Sequence, residues 1–121
     1  MRNNQPIIIP RSIKFNSKEY LVTRILDGVF EDSTVSIQFS PDSELQFIGS
    51  KAFYRSSINS ITIPSEVTTI EDQCFISCLQ LQRIDIPPDS KLQTIGQYSF
   101  CNSSIENFTI PPNVSELDDG W

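Results

Sequence analysis

Apolar residues recur along the chain in a fixed order with a spacing of 22 to 25 residues. An isoleucine is followed five residues later by a phenylalanine four times over, as listed here: Ile25 and Phe30, Ile48 and Phe53, Ile70 and Phe75, Ile95 and Phe100. After each phenylalanine comes a gap and then a triad of the form apolar-x-x-apolar-x-apolar, usually closed by proline. Self-similarity at a period of roughly 20 to 50 residues is typical of stacked repeats, so the pattern predicts a solenoid.

The triads predict one short strand in each repeat. They are Ile58, Ile61 and Ile63; Leu81, Ile84 and Ile86; Ile105, Phe108 and Ile110; and a shortened first copy at Val35, Ile37 and Phe39. The last two apolar residues of a triad flank one polar residue, which is the period of a strand, and proline ends the strand because it cannot donate to the ladder. The segment between isoleucine and phenylalanine is too short for a long helix. We expect a turn or a single helical turn there.

A second, longer period relates alternate repeats. The segment from Pro41 to Pro64 matches the segment from Pro88 to Pro111 after a shift of 47 residues, with 14 identities in 24 positions. Alternate repeats are therefore more alike than adjacent ones. A single repeat cannot close a core, but stacked repeats bring the isoleucine, phenylalanine and triad columns into one continuous interior.

The residues from Ile48 to Pro64 resemble the BspA-like leucine-rich repeats found in surface proteins of certain bacteria and parasitic protists. The resemblance rests on Ile-Gly-x-x-Ala-Phe, the apolar triad and the closing Ile-Pro, and it covers roughly residues 7–117. The run from Tyr20 to Ile25 is similar to the end of a hairpin that precedes the first repeat in that family. This places a hairpin at Ile13 to Val22 with Asn16-Ser17 at its turn.

The resemblance implies a leucine-rich repeat solenoid with short parallel strands on one face and turns or short helical turns on the other. Residues 1–24 are expected to form an N-terminal β-hairpin cap. Residues 25–121 are expected to form about four irregular leucine-rich repeats, of which the last is truncated. Such repeats also imply surface adhesion, with a location at the cell surface or outside the cell. No secretory signal is visible, so the cytoplasm stays open as an alternative.

Charge limits the kinds of partner that we expect. The 121 residues hold 15 acidic and 9 basic side chains, for a net charge of −6. Phosphate groups would repel such a chain on average, so neither nucleic acid nor an anionic membrane surface is expected as a partner. The longest apolar run, Ile7 to Ile9, is far shorter than a membrane span requires, and no membrane insertion is expected.

Candidate chemistry is sparse. The chain has no histidine, the commonest general base and metal ligand. Cys74 and Cys78 have a spacing compatible with half a metal site, but no second pair is present, and Cys74 occupies a column filled elsewhere by small residues such as Ala52. Adjacent carboxylates, as at Glu71 and Asp72, are expected on a solvated outer turn. We expect no enzyme, no cofactor and no metal.

Two hypotheses for function remain, and both involve binding. In the first, the outward side chains beside the triad strands contact a protein or an extracellular-matrix ligand. These residues are Asn59, Ser60, Thr62, Gln82, Arg83, Asp85, Glu106, Asn107 and Thr109. In the second, the chain is a structural solenoid that self-associates into homo-oligomers through uncapped repeat ends, with Leu117 and Trp121 at the contact.

Overall fold

The computed structural model describes residues 5–106 and 108–117, and within them the chain forms eleven short strands and no helix. The strands are β1 (Ile7–Ile9), β2 (Ser12–Phe15), β3 (Lys18–Leu21), β4 (Arg24–Ile25), β5 (Ile37–Phe39), β6 (Phe47–Ile48), β7 (Ser60–Thr62), β8 (Thr69–Ile70), β9 (Arg83–Asp85), β10 (Thr94–Ile95) and β11 (Glu116–Leu117). Apart from the antiparallel pair β2 and β3, every pairing is parallel, as expected when successive coils stack in the same direction.

Each coil has three sides, and the first side carries the triad strands. We call this side the triad face; it is built from β1, β5, β7 and β9. Strand β1 pairs with β5 and β7 pairs with β9, whereas β5 lies against β7 without pairing with it. The first triad, from Val35 to Phe39, is one residue shorter than the other triads. The triad face is therefore split into two pairs of strands.

The second side is a continuous five-stranded parallel sheet in the order β11, β10, β8, β6, β4. Its core-facing column consists of Ile25, Ile48, Ile70, Ile95 and Leu117, which lie in register with one another. Each strand has only two residues, so the sheet is narrow along its strands and extends mainly along the stack of coils. Sequence patterning identified this isoleucine column but did not assign it to a sheet.

The third side, the turn side, contains turns where the sequence allowed either turns or a single helical turn. Three phenylalanines donate their backbone N–H to the next coil: Phe30 to the carbonyl of Ala52 (2.8 Å), Phe53 to that of Cys74 (2.9 Å) and Phe75 to that of Ser99 (2.8 Å). A helix would instead direct its N–H groups along its own axis. Left-handed residues recur at two positions of every coil, namely Gly28, Lys51, Gln73 and Tyr98, and then Asp32, Arg55, Ser77 and Asn102. The described coils therefore have turns on this side, and a helical turn is not confirmed for them.

The core lies between the three sides and consists of columns of like residues. The rings of Phe30, Phe53, Phe75 and Phe100 stack with centroid separations of 5.0 to 5.5 Å. Stacked rings at this separation attract one another, and this attraction adds to the stabilisation that comes from burying their apolar surface. Ile48, Ile70 and Ile95 are fully buried beside them. Each coil thus supplies the apolar surface that its neighbour needs.

The predicted hairpin is present, formed by β2 and β3 with Asn16 and Ser17 at its turn. Both turn residues have positive φ, 51° and 63°, which matches the right-handed twist of the two strands. Strand β1, which precedes the hairpin, belongs to the triad face, so the first strand of the solenoid lies inside the segment assigned to the cap. Whether residues 1–24 act as a cap stays a prediction.

Candidate functional site

The triad face brings most of the predicted binding residues together. A shallow groove of about 790 Å³ crosses β7, β9 and the coil that follows. Its lining consists of Asn59, Ser60, Gln82, Arg83, Ser104 and Glu106. Five of these six were among the residues predicted from alternation. All five have exposed side chains, so three successive coils present polar groups to solvent from one surface.

A second groove of about 580 Å³ lies where β5 and β7 fail to pair. Thr62 and Asp85 line it, together with Asn59, Ser60 and Arg83, which link it to the first groove. Gln38 and the half-buried Phe39 form its other wall. Both grooves together therefore contain Asn59, Ser60, Thr62, Gln82, Arg83, Asp85 and Glu106 from the predicted set.

Two predicted residues are not part of these grooves. Thr109 is exposed but lines neither groove. Asn107 lies outside the described residues, as does Trp121, one of the two predicted self-association residues. Leu117 is half-buried at the end of the five-stranded sheet, where it lies beside Ile95 and packs against the core.

Arg83 and Asp85, two of the predicted binding residues, form an ion pair. The Arg83 Nε lies 3.1 Å from the Asp85 Oδ2, and 71% and 46% of the two side chains are exposed. An ion pair this exposed contributes less than about 1 kcal/mol to stability, because water screens the charges. The pair is consequently free to exchange its internal contact for a contact with a partner.

Sequence reasoning missed two features of the triad face. Ser104 lines the first groove, but it precedes the triad and so fell outside the alternating positions. Gln38 and Phe39, which line the second groove, were not predicted as part of the candidate site because the register of the shortened first triad was uncertain. A signal for Gln38 did exist, since a polar residue between Ile37 and Phe39 corresponds to Thr62 between Ile61 and Ile63.

The five-stranded sheet presents a second outward column that was not predicted as a surface. Its members are Arg24, Phe47, Thr69, Thr94 and Glu116. The Arg24 guanidinium lies 4.8 Å from the centre of the Phe47 ring, so a cation–π contact already occupies the first two members. A sequence signal for this surface did exist. Each isoleucine of the core-facing column is preceded by two polar residues or, at Ile48, by Gln-Phe.

Two of the three cysteines have their thiols in the core. Cys74 and Cys78 are buried and Cys101 is partly exposed, all with free thiols. Burial raises the pKa of the Cys78 thiol to about 11, and the pKa of the Cys74 thiol is also raised, mainly by burial. The Cys78 thiol donates a hydrogen bond to the Phe53 carbonyl (2.9 Å). Both thiols remain protonated near neutral pH and act as packing groups.

Among residues 5–106 and 108–117, no group of three or more His, Cys, Asp or Glu side chains could hold a metal ion. Within the same ranges, no helix is long and apolar enough to cross a membrane.

Stacked coils, parallel strands and columns of isoleucine and phenylalanine define the molecule as a leucine-rich repeat solenoid. It belongs to the family described as the BspA type leucine rich repeat region, whose model matches residues 9–121 in six copies. The resemblance drawn from the sequence is thereby confirmed. Among curated proteins, none matches the sequence significantly.

Solved structures with the same fold include two bacterial proteins. The pneumococcal vaccine antigen PcpA is 22% identical with a TM-score of 0.83, and the match covers 95% of this chain and 36% of that one. A leucine-rich repeat protein from Bacteroides ovatus ATCC 8483 is 26% identical with a TM-score of 0.80, covering 93% of this chain and 29% of that one. The chain thus spans about a third of the length of these proteins.

Proposed function

We propose that the chain is a non-enzymatic protein-interaction module whose triad face contacts a protein or extracellular-matrix ligand during surface adhesion. The observation that supports this most is the row of exposed polar side chains that three successive coils place in one groove. Solenoids commonly bind partners along such extended surfaces, because each repeat adds a few contacts at a fixed spacing. PcpA, which shares the fold, is a vaccine antigen, and this is consistent with display at a cell surface.

The proposal can be tested by removing the projecting side chains of the groove. We expect the triple variant Gln82→Ala, Arg83→Ala, Glu106→Ala to bind at least about tenfold more weakly than the parent, since these are the three longest side chains that line the groove. Binding is measured by surface plasmon resonance against a panel of purified extracellular-matrix proteins and by flow cytometry on intact epithelial cells. All three residues are exposed, so folding should be retained.

The matched control changes the outward column of the five-stranded sheet. The variant Thr69→Ala, Thr94→Ala, Glu116→Ala removes three polar side chains from another side of the same coils. It should bind as the parent does. Equal binding by the parent and the triad-face variant would place the contact elsewhere, and equal loss in both triple variants would indicate a general effect on folding.

A second candidate function is self-association, which the register of the five-stranded sheet favours. Among the described strands, β4 and β11 each have one neighbour in this sheet. Continuing the register from β11 to the β4 of a second copy would place Arg24 beside Glu116 and Ile25 beside Leu117. Opposite charges and two core residues would then meet at equivalent positions.

Sedimentation velocity over a range of concentrations tests this contact. Arg24→Glu should shift the protein toward the monomer, and adding Glu116→Arg to the same chain should restore the oligomer by reversing both charges. A parent protein that is monomeric at every concentration excludes this function. The triad-face variants should leave the oligomeric state unchanged, so the two proposals are tested separately.

A further inference from the structure

The hairpin of β2 and β3 stands apart from the coils. Its two strands pair with each other and contact no other described strand. All of its residues from Ile13 to Leu21 are exposed. A two-stranded hairpin without further packing is only marginally stable in water. The hairpin therefore has open faces that the coils of the same molecule do not cover.

One face of the hairpin is apolar. Residues directly opposite in an antiparallel pair share a face, and the pairing places Ile13 opposite Tyr20 and Phe15 opposite Lys18. The exposed fractions are 53% for Ile13, 65% for Phe15 and 45% for Tyr20. The Lys18 Nζ lies 5.6 Å from the centre of the Tyr20 ring. Three large apolar side chains and one cation thus form a single exposed surface.

Charge is segregated along the chain, and the hairpin lies at the positive end. Residues 5–24 contain four basic residues and one acidic residue, whereas residues 25–121 contain four basic and fourteen acidic residues. The one acidic residue, Glu19, accepts a hydrogen bond from the Ser12 hydroxyl (2.8 Å). At physiological salt, charges farther apart than about 8 Å are largely screened from one another. The net charge of the whole chain is therefore a poor guide to what this end attracts.

We propose that the hairpin docks on an anionic lipid surface, with Ile13, Phe15 and Tyr20 in the interfacial layer and Lys18, on the same face, against the headgroups. Lys14 lies on the opposite face beside Glu19 and, with Arg11, adds positive charge at this end of the chain. Aromatic and aliphatic side chains flanked by lysine and arginine are typical of interfacial membrane segments. A two-stranded ribbon offers no concave surface to hold a protein side chain, whereas a lipid interface accepts apolar groups of any shape. The docking is peripheral and is independent of the triad face.

Vesicle co-sedimentation tests the proposal directly. We expect the protein to sediment with phosphatidylcholine vesicles containing about 30% phosphatidylserine, and to bind pure phosphatidylcholine at least about fivefold more weakly. Raising the ionic strength should release it, since the lysine and arginine contacts are screened. The double variant Lys14→Glu, Lys18→Glu should lose about tenfold or more in apparent affinity.

A matched control makes the same change of charge on the turn side. Lys51→Glu, Arg55→Glu alters two exposed cations far from the hairpin in sequence and should bind vesicles as the parent does. Insertion is followed separately with Phe15→Trp in a Trp121→Phe background, in which the single tryptophan should shift its emission to shorter wavelength on binding anionic vesicles. Urea unfolding of each variant checks that the coils remain intact.

Three outcomes would overturn the proposal. The hairpin variant binding as tightly as the parent would exclude the hairpin as the docking element. An equal loss of vesicle binding in the Lys51 and Arg55 control would show that binding depends on the net charge of the chain and not on the hairpin. Capture of the parent on immobilised polyglutamate without binding to anionic vesicles would indicate an acidic protein partner instead of a membrane.

Discussion

At the scale of single residues, an aspartate in one coil dictates a glycine in the next. The Asp27 carboxylate accepts a hydrogen bond from the Ser50 N–H (3.0 Å), and the Asp72 carboxylate accepts one from the Gln97 N–H (3.0 Å). A Cβ at Gly49 would lie 2.8 Å from both the Asp27 N and the Ile25 O. The coil that carries Asp72 has Glu71 at the position of Gly49 and Gly96, and the coil before it has Ser50 at the position of the aspartates. Alternate coils therefore need different residues at one position.

Replacing Gly49 with alanine should destabilise the chain by about 1–3 kcal/mol, because a methyl group enters space already occupied by backbone. Glu71→Ala at the equivalent position is the control and should change stability by less than about 0.5 kcal/mol. Adding Asp27→Ala to the Gly49→Ala variant should recover only part of the loss, since two of the three crowding atoms are backbone atoms. Urea denaturation gives the free energies, and full recovery would contradict the backbone argument.

The buried Cys78 thiol makes stability depend on pH in alkaline solution. Burial raises its pKa from the usual 9.0 to about 11 in the folded chain, so the unfolded chain loses this proton first as the pH rises. The Cys78 thiol therefore contributes to the free energy of unfolding below pH 9. This contribution, on the order of 2 kcal/mol, is lost between about pH 9 and 11.

Cys78→Ser is the matched variant because serine fills this column as Ser33, Ser56 and Ser103 and does not titrate in this range. Its free energy of unfolding should fall less steeply than that of the parent between pH 9 and 11, as measured by urea titration at each pH. Parallel curves for the two proteins would show that Cys78 does not titrate in this window.

At the scale of structural elements, the stacked phenylalanine rings hold the turn side to the two sheets. Phe75 is fully buried, with Phe53 at 5.0 Å and Phe100 at 5.5 Å between ring centroids. Phe30 is half-buried and has one stacking neighbour, Phe53 at 5.3 Å. Position in the stack thus decides how many ring faces each residue covers.

Phe75→Ala should cost about 3–5 kcal/mol, because it leaves a cavity in the middle of the stack. Phe30→Ala should cost about half as much, since its ring covers one neighbour and remains partly in contact with water. Thermal and urea unfolding of both variants provide the comparison. If both variants lose the same free energy of unfolding, a ring with two stacking neighbours stabilises the chain no more than a ring with one.

Much of the fold follows from the sequence because the columns repeat. The spacing of Ile25, Ile48, Ile70 and Ile95 predicts stacking, and the alternation of Ile61, Thr62 and Ile63 predicts a strand. The turn side was ambiguous, since a short helix and a turn bury phenylalanine at the same spacing. The hydrogen bonds that distinguish a turn from a short helix run from one coil to the next, so they cannot be predicted from the sequence of a single coil.

The candidate site was predictable only in part. Alternation identified Gln82, Arg83 and Asp85 because they flank a regular triad. It could not identify the groove at Gln38 and Phe39, because that groove exists only where β5 fails to pair with β7. A break in pairing depends on the register of two coils, and this register is a tertiary property.

At the scale of the whole molecule, the pair of coils is the structural unit, and this determines how the chain can be lengthened. Duplicating residues 48–94, a segment of 47 residues, places the copy of Gly49 against Asp72 and so repeats a contact that already exists. Duplicating residues 70–94 alone, 25 residues, places the copy of Glu71 against Asp72. The side chain of the copied Glu71 would then enter the space beside Asp72 that Gly96 leaves open in the present chain.

We expect the 47-residue insertion to raise the urea midpoint and the 25-residue insertion to lower it. In a solenoid each added unit contributes its own stability and one interface with a neighbour, so a compatible pair adds to the total. The slope of the transition should increase with the surface exposed on unfolding if the inserted coils are folded. Equal midpoints for both insertions would show that the aspartate–glycine contact does not govern length.

The same contact bears on how such a chain changes size over many generations. Tandem duplication and deletion events of two coils meet no steric barrier, whereas events that join two aspartate-bearing coils directly require a compensating substitution to glycine. Relatives that diverge by such events should therefore differ in length mainly by steps of two coils. An odd step should be accompanied by a glycine at the new junction.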